Sequence, residues 1–195
     1  MSTSAFDGAR RRLEGRRPEI ATKLVEAAAD VIAVTGYEGL TVRAVAAAAG
    51  VSAASAYNYF ASKEHLLVEL YWRRLCALAP VEVPADATAG ERMRTAVEPI
   101  VSAVAAEPAL AAGVTTAMLA HEHEVRVLRD KVGDLMAQRL SSALIPAVPQ
   151  QSLRPLVFML SGGLLNAGMG YLSYADVTAA MVGFADSMPW KTRRT

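Results

Sequence analysis

Cysteine is nearly missing from this chain, with Cys76 alone among 195 residues. A single cysteine excludes an internal disulfide framework and a cysteine-built zinc cluster, and it suits a reducing compartment. Aromatic residues make up only 6%, and with abundant alanine this favours helices over sheets. No period-two alternation appears, so an all-α fold is expected. Charge of one sign is lacking too: the net charge is +1, so contact with nucleic acid would depend on how charge is distributed. An apolar N-terminal signal stretch is absent from the sequence, which gives the expectation of a cytoplasmic protein. At 53% hydrophobic composition, the chain can bury the core of one large domain or two small ones.

Catalytic patterns are also wanting. Ser161-Gly162-Gly163 lacks the preceding glycine of a nucleophile elbow, and no phosphate-cradling loop is present. His121-Glu122-His123-Glu124 places its histidines two apart, on different sides of a helix, unlike the i, i+4 pair of a zinc protease. A partly solvated helix start explains that run, and Cys76 falls on a helical stripe expected to be core. No enzyme, metal or cofactor is expected. The longest uncharged run, Pro155 to Ala175, is long enough to span a bilayer. Its Ser161, Gly162, Gly163, Asn166, Gly168, Gly170, Ser173 and two tyrosines place its hydropathy below that of a leucine-rich span, so no membrane partner is expected.

What is present is concentrated between Thr41 and Lys63. Thr41 is an N-cap, with Leu40 and Val45 spaced as a hydrophobic staple around it. Val42, Val45, Ala46 and Ala49 recur at helical spacing until Gly50, the residue suited to a left-handed helix exit, and Val51 fills the corner. Ser52 caps a second short helix from Ala53 to about Phe60. Its cluster Tyr57, Asn58, Tyr59 and Phe60 mixes polar donors with rings in a way a core would not require. Ser62 caps a third. This is the layout of a helix-turn-helix.

Residues 17 to 70 resemble the DNA-binding domain of the TetR family of transcriptional regulators. The resemblance rests on Gly36-Tyr37, Thr41-Val42-Arg43, Ala48-Ala49-Gly50-Val51-Ser52, Tyr57-x-Tyr59-Phe60 and Ser62-Lys63-Glu64-x-Leu66-Leu67. Two positions depart from the pattern: Ala54 where glycine is frequent, and Ala56 where leucine or isoleucine is usual, which thins the packing beneath the recognition helix. The resemblance implies an inverted-repeat operator on double-stranded DNA, read by a two-fold dimer. Thr41, Ser52, Tyr57, Tyr59 and Lys63 would hold phosphates, while Arg43, Ala53, Ser55 and Asn58 would face bases. Arg43 can fork onto guanine, Ser55 can bond several edges, and Ala53 can pack on a thymine methyl. One of Tyr57 and Tyr59 is expected to turn inward.

Ahead of this domain, Arg10, Arg11, Arg12, Arg16 and Arg17 meet a single acid, Glu14. Residues 1–17 read either as a basic flexible arm that follows phosphates or enters a minor groove, or as a solvated tail. Helix one is expected from Pro18, a favoured first position, to Thr35, with Gly36 as its stop and Ile20, Leu24, Ala27, Ala28, Val31 and Ile32 buried. The helix-turn-helix domain spans 18–63, a ligand-binding and dimerisation domain 64–188, and a tail 189–195. Helix four carries Leu66, Leu67, Leu70, Tyr71, Leu75 and Leu78. Further helices are expected over Glu91 to Ala106, kinked by Pro99, then Pro108 to about Ala120, Glu122 to Leu144, Ser152 to Leu172 and Tyr174 to Met188.

In the second domain the resemblance implies an effector cavity and a four-helix dimer interface. Met93, Val97, Ile100, Met118, Leu119, Leu135, Met136, Phe158, Met159 and Met169 are the apolar lining expected; methionine adapts to an irregular guest, although the same spacing also describes plain core. Asn166 needs a partner, either a ligand or the opposite subunit. Gly162, Gly163 and Gly170 with Val177, Met181 and Phe184 are expected at the dimer interface. The segment around Glu107-Pro108-Ala109-Leu110 is similar to actinobacterial regulators of lipid and sterol breakdown, which implies a small lipophilic effector such as an acyl thioester. The expected function is a repressor released by that effector. A helical interaction module of the same fold without sequence-specific DNA binding is the competing reading.

Overall fold

The computed structural model describes residues 3–145, 148 and 150–189, with side chains from residue 18 onward. Among them all regular structure is helical: α1 (Thr3–Gly39), α2 (Val42–Ala48), α3 (Ala53–Tyr57), α4 (Lys63–Cys76), α5 (Ala89–Ala105), α6 (Pro108–Ala117), α7 (His123–Leu144), α8 (Leu153–Gly168) and α9 (Tyr174–Ser187), with a short 3-10 turn at Gln150–Ser152.

Local chemistry sets the element ends. Thr41, Ser52 and Ser62 each stand in extended backbone before a helix and accept from the backbone N–H three residues on, at 3.0, 3.2 and 3.0 Å. Gly36 and Gly50 both take φ +65, a conformation only glycine adopts at little cost. Gly36 breaks α1 as expected. The helix does not begin at Pro18, however: α1 runs back to Thr3 and Pro18 lies inside it. The missing proline donor therefore falls within the helix rather than among the orphan donors of its first turn. Pro99 likewise sits inside α5, where Thr88 and Glu91 form a reciprocal capping box.

α1, α2 and α3 form a small head closed by Leu24, Ala28, Ile32, Leu40, Val45, Ala46, Ala56 and Phe60, all buried. Ala56 is fully buried in spite of its size, so the recognition helix lies close to its support. α4 joins the head to the larger bundle: α1 packs on α4 and α6, α4 on α6 and α7, and α5 on α7 and α9. The seam is tight at Gly113, where a β-carbon would stand 2.9 Å from Ile32 Cδ1 and 3.1 Å from Leu67 Cδ1. Substitution there would overpack the junction between head and bundle.

Arginines fasten the bundle through backbone carbonyls. Arg92 donates to the carbonyls of Pro84, Ala85, Ala87 and Ala143, holding the α4–α5 loop. Arg139, buried, donates to Ala79 O at 2.8 Å, and burial pulls its pKa down. Cys76 is exposed rather than core. The buried residues of α4 are Leu66, Leu67, Val68, Leu70, Tyr71 and Leu75, and Cys76, at the last position of the helix, falls outside that set.

Candidate nucleic-acid interface and interior cavity

The outer face of the head is built from α2 and α3. Thr41, Arg43, Ser52, Tyr57 and Asn58 are exposed there, and Ala53 and Ser55 are half-exposed. Ala47 and Ala54 share this exposed surface. Tyr57 is 53% exposed, whereas Tyr59 packs against the core, so Tyr59 is the ring that turns inward. Lys63 is occupied at home: Nζ donates to Tyr37 O at 3.0 Å and lies 3.9 Å from the centre of the Tyr37 ring. Tyr37 in turn donates to Glu64 at 2.7 Å, and burial followed by that carboxylate pushes its pKa up. The side chains of Arg10, Arg11, Arg12, Arg16 and Arg17 lie outside the described residues.

Beneath the head, Ser62 has a second role. Its hydroxyl caps α4 by accepting from His65 N and also donates to Glu122 Oε2, the residue that precedes α7. His65 stands edge-on to Phe60 with ring centres 5.2 Å apart, and its Nδ1 is buried without a partner. Burial lowers its pKa, opposed by Glu124, Glu69 and Glu122. Arg74 grips Glu107 through Nε at 2.6 Å and Nη2 at 3.2 Å, tying α4 to the start of α6.

A cavity of about 420 Å³ lies between α4, α6, α7 and α8. Helical periodicity builds its walls: Ala111, Val114, Thr115 and Met118 from α6 and its C-cap, Arg129, Val132, Gly133 and Met136 from α7, and Val157, Phe158, Ser161, Leu164 and Leu165 from α8. Tyr71, Val104 and Tyr174 complete it, and exposed Leu119 and Phe158 stand where it meets solvent. Burial raises the pKa of both tyrosines, so their hydroxyls stay protonated.

Of the lining residues expected from sequence, Met118, Leu119, Met136 and Phe158 meet at this cavity. Met93, Val97 and Ile100 are fully buried in the core, away from it. Leu135 packs against the core, while Met159 and Met169 are 38% and 50% exposed. Asn166 satisfies itself, Nδ2 donating to Gly162 O one turn back at 2.7 Å. The polar members Thr115, Arg129 and Ser161 carry no apolar signal in the sequence; Thr115 and Ser161 lie three positions from the expected Met118 and Phe158, and Arg129 lies seven, two helical turns, before Met136.

The dimer expectations divide. Val177 and Met181 are each 2% exposed and belong to the chain's own core, unavailable to a second copy. Gly163 explains why: a β-carbon there would lie 2.8 Å from Val177 Cγ1, so α8 and α9 close on each other at that point. Phe184 packs partly buried on the same core. Gly162 borders open space, and Gly170 takes φ +81 to leave α8. Outside, α8 and its exit show Phe158, Met159, Met169, Tyr171 and Leu172, and Met188 is exposed after α9.

Among the described residues no group of three His, Cys, Asp or Glu is placed to hold a metal ion, and no single helix is long and apolar enough to cross a membrane. Residues 24–70 match the model of the bacterial regulatory proteins of the tetR family. An uncharacterized HTH-type transcriptional regulator of Mycobacterium tuberculosis is 33% identical over 160 residues, covering 80% of this chain and 73% of that protein. The HTH-type transcriptional repressor KstR of Rhodococcus jostii is 26% identical over 152 residues, covering 77% and 72%. A TetR transcriptional regulator from Rhodococcus sp. RHA1 shares the fold with a TM-score of 0.75 at 20% identity, over 89% of this chain and 96% of the other. FadR of Bacillus subtilis, crystallised with stearoyl-CoA, superposes with a TM-score of 0.62 at 20% identity, over 85% and 97%. The helix-turn-helix geometry, the family model and a relative one-third identical along most of the chain agree: this chain belongs to the TetR family of bacterial transcriptional regulators.

Proposed function

We propose that this regulator is a repressor that binds an inverted repeat as a two-fold dimer and leaves it when a lipophilic molecule enters the cavity. The observation that carries the reading is the position of the cavity. Tyr71 on α4 lines it, and α4 begins at the Ser62 cap that closes the DNA-reading head. Met118 and Leu119 line it as well, a few residues before Glu122, the partner of Ser62. A guest that spreads α6 from α7 therefore acts on both ends of the link to the head. Such a guest changes DNA affinity only by binding the two arrangements unequally.

The lining supports a lipophilic guest, with methionine, valine and leucine predominating and a size within the roughly 300–1,000 Å³ of small-molecule pockets. The exposed apolar side of α8 and α9 supports pairing with a second copy, since a two-fold contact covers the same patch on both chains. A dimer places two copies of α3 in successive major grooves, with Arg43, Ser55 and Asn58 toward base edges. Two similar proteins are in keeping with this reading: KstR is a transcriptional repressor, and the transcriptional regulator FadR was crystallised with stearoyl-CoA.

Site selection from random duplex DNA at stated salt tests the proposal. Enrichment of one inverted repeat, followed by release on adding acyl lipids, is the expected result. Retention of DNA without sequence enrichment would overturn it.

A further inference from the structure

Arg129 is the one cation lining the cavity. Its Nη2 donates to Ala120 O at 2.6 Å, while Nε is shielded from solvent and has no hydrogen-bond partner. Among the described residues no carboxylate forms an ion pair with it. A half-buried guanidinium beside apolar walls with one donor unmet is short of hydrogen bonds, and an anion at its open edge offsets that. Its planar array of donors suits a carboxylate, which accepts at the Nη1 edge, neither sealed like Nε nor taken up by Ala120 as Nη2 is. Tyr71 and Tyr174, whose hydroxyls stay protonated, line the same space. Every other wall is apolar apart from Thr115 and Ser161, whose hydroxyls are already engaged with Ala111 O and Met136 Sδ. The lining thus has donors to spare and no acidic group, a polarity that selects an acceptor-rich, negatively charged head on an apolar body.

We propose that the effector is an amphiphilic carboxylate, bound as the free acid anion with its head group on Arg129 and its apolar body against Val132, Met136, Met118 and Leu164. The inference rests on the cavity being the effector site and adds the chemical class of its occupant. A neutral ester offers Arg129 only a weak carbonyl acceptor. A coenzyme A thioester is neutral at the acyl head and carries its phosphates at the far end of the pantetheine arm, away from the apolar body.

The experiment uses the full-length protein without DNA. Calorimetry compares dodecanoate and hexadecanoate with their methyl esters and their coenzyme A thioesters. The acids are expected to bind about tenfold or more tighter than the esters, since a hydrogen bond to a charged group carries at least that factor. Arg129→Met should bring acid and ester to within about threefold of each other, and Arg129→Lys should keep part of the preference. Gly133→Leu, which projects a side chain into the cavity, should abolish binding of every probe. Esters or thioesters that bind the wild-type protein as tightly as the acids overturn the proposal, and so does failure of either acid to bind. That comparison needs no variant, so a misfolded Arg129→Met leaves the test intact. DNA release is read separately on the selected operator. Acids that bind through Arg129 without releasing DNA refute the repressor reading alone, whereas release by thioester or ester in preference to acid refutes the carboxylate alone.

Discussion

The Ser62–Glu122 contact joins the DNA-reading head to the start of α7, and its strength is measurable. Glu122→Ala removes the bond to the Ser62 hydroxyl and leaves the cap on His65 N in place. A hydrogen bond to a charged group contributes about 1.5–3 kcal/mol when buried. Both side chains are half-exposed, which lowers the expectation to about 1–2 kcal/mol. Ser62→Ala removes the same bond together with the N-cap, itself worth about 1 kcal/mol, so its cost should reach about 2–3 kcal/mol. The double variant should cost no more than Ser62→Ala alone, because the shared bond can be lost only once. The coupling energy is then about 1–2 kcal/mol. Urea denaturation of the full chain at one fixed protein concentration provides the values, since dimerisation would otherwise shift them. If the two substitutions add to within about 0.5 kcal/mol, Ser62 and Glu122 do not hold the head to the bundle.

Arg43→Ala should weaken operator binding by about 1–3 kcal/mol and relax one base position in each half-site; uniform weakening on every sequence would instead make Arg43 a phosphate contact. Gly133→Leu should gain about 1 kcal/mol of helix propensity and leave a repressor that no longer responds to effector, because a β-carbon at 133 meets nothing within 4 Å. Thermal melts and operator release would show both effects, and an intact effector response would remove the cavity from the mechanism. His65 has a folded pKa below its ordinary 6.5 through burial, so the unfolded chain binds the proton more readily. The stability it supports is complete above about pH 6.5 and is lost as the pH falls through the lower folded value. Denaturation midpoints between about pH 8 and pH 5 should fall with pH in the wild type and flatten in His65→Leu; an unchanged slope in the variant would assign the effect elsewhere.

The sequence by itself determined the helix-turn-helix. Thr41, Ser52 and Ser62 announce helix starts and Gly36 and Gly50 announce exits, because caps and positive φ depend on backbone within three or four residues. The all-α architecture and most helix positions were legible for the same reason, with Pro18 misplacing the start of α1 because nothing local stops a helix from running through from upstream. Which face meets which neighbour was not legible. A helical stripe shows that something covers it and is silent about what does, so Met93 and Met136 look alike in sequence, yet one is sealed in the core and the other lines a cavity. Val177 and Met181 looked suited to a partner chain until the approach of α8 at Gly163 claimed them. Tyr59 rather than Tyr57 turned inward for want of any local signal to choose between them. Arg129 facing an apolar cavity, and Ser62 meeting Glu122 sixty residues away, are products of tertiary packing alone, because contacts between distant segments depend on how whole helices dock rather than on the residues beside them.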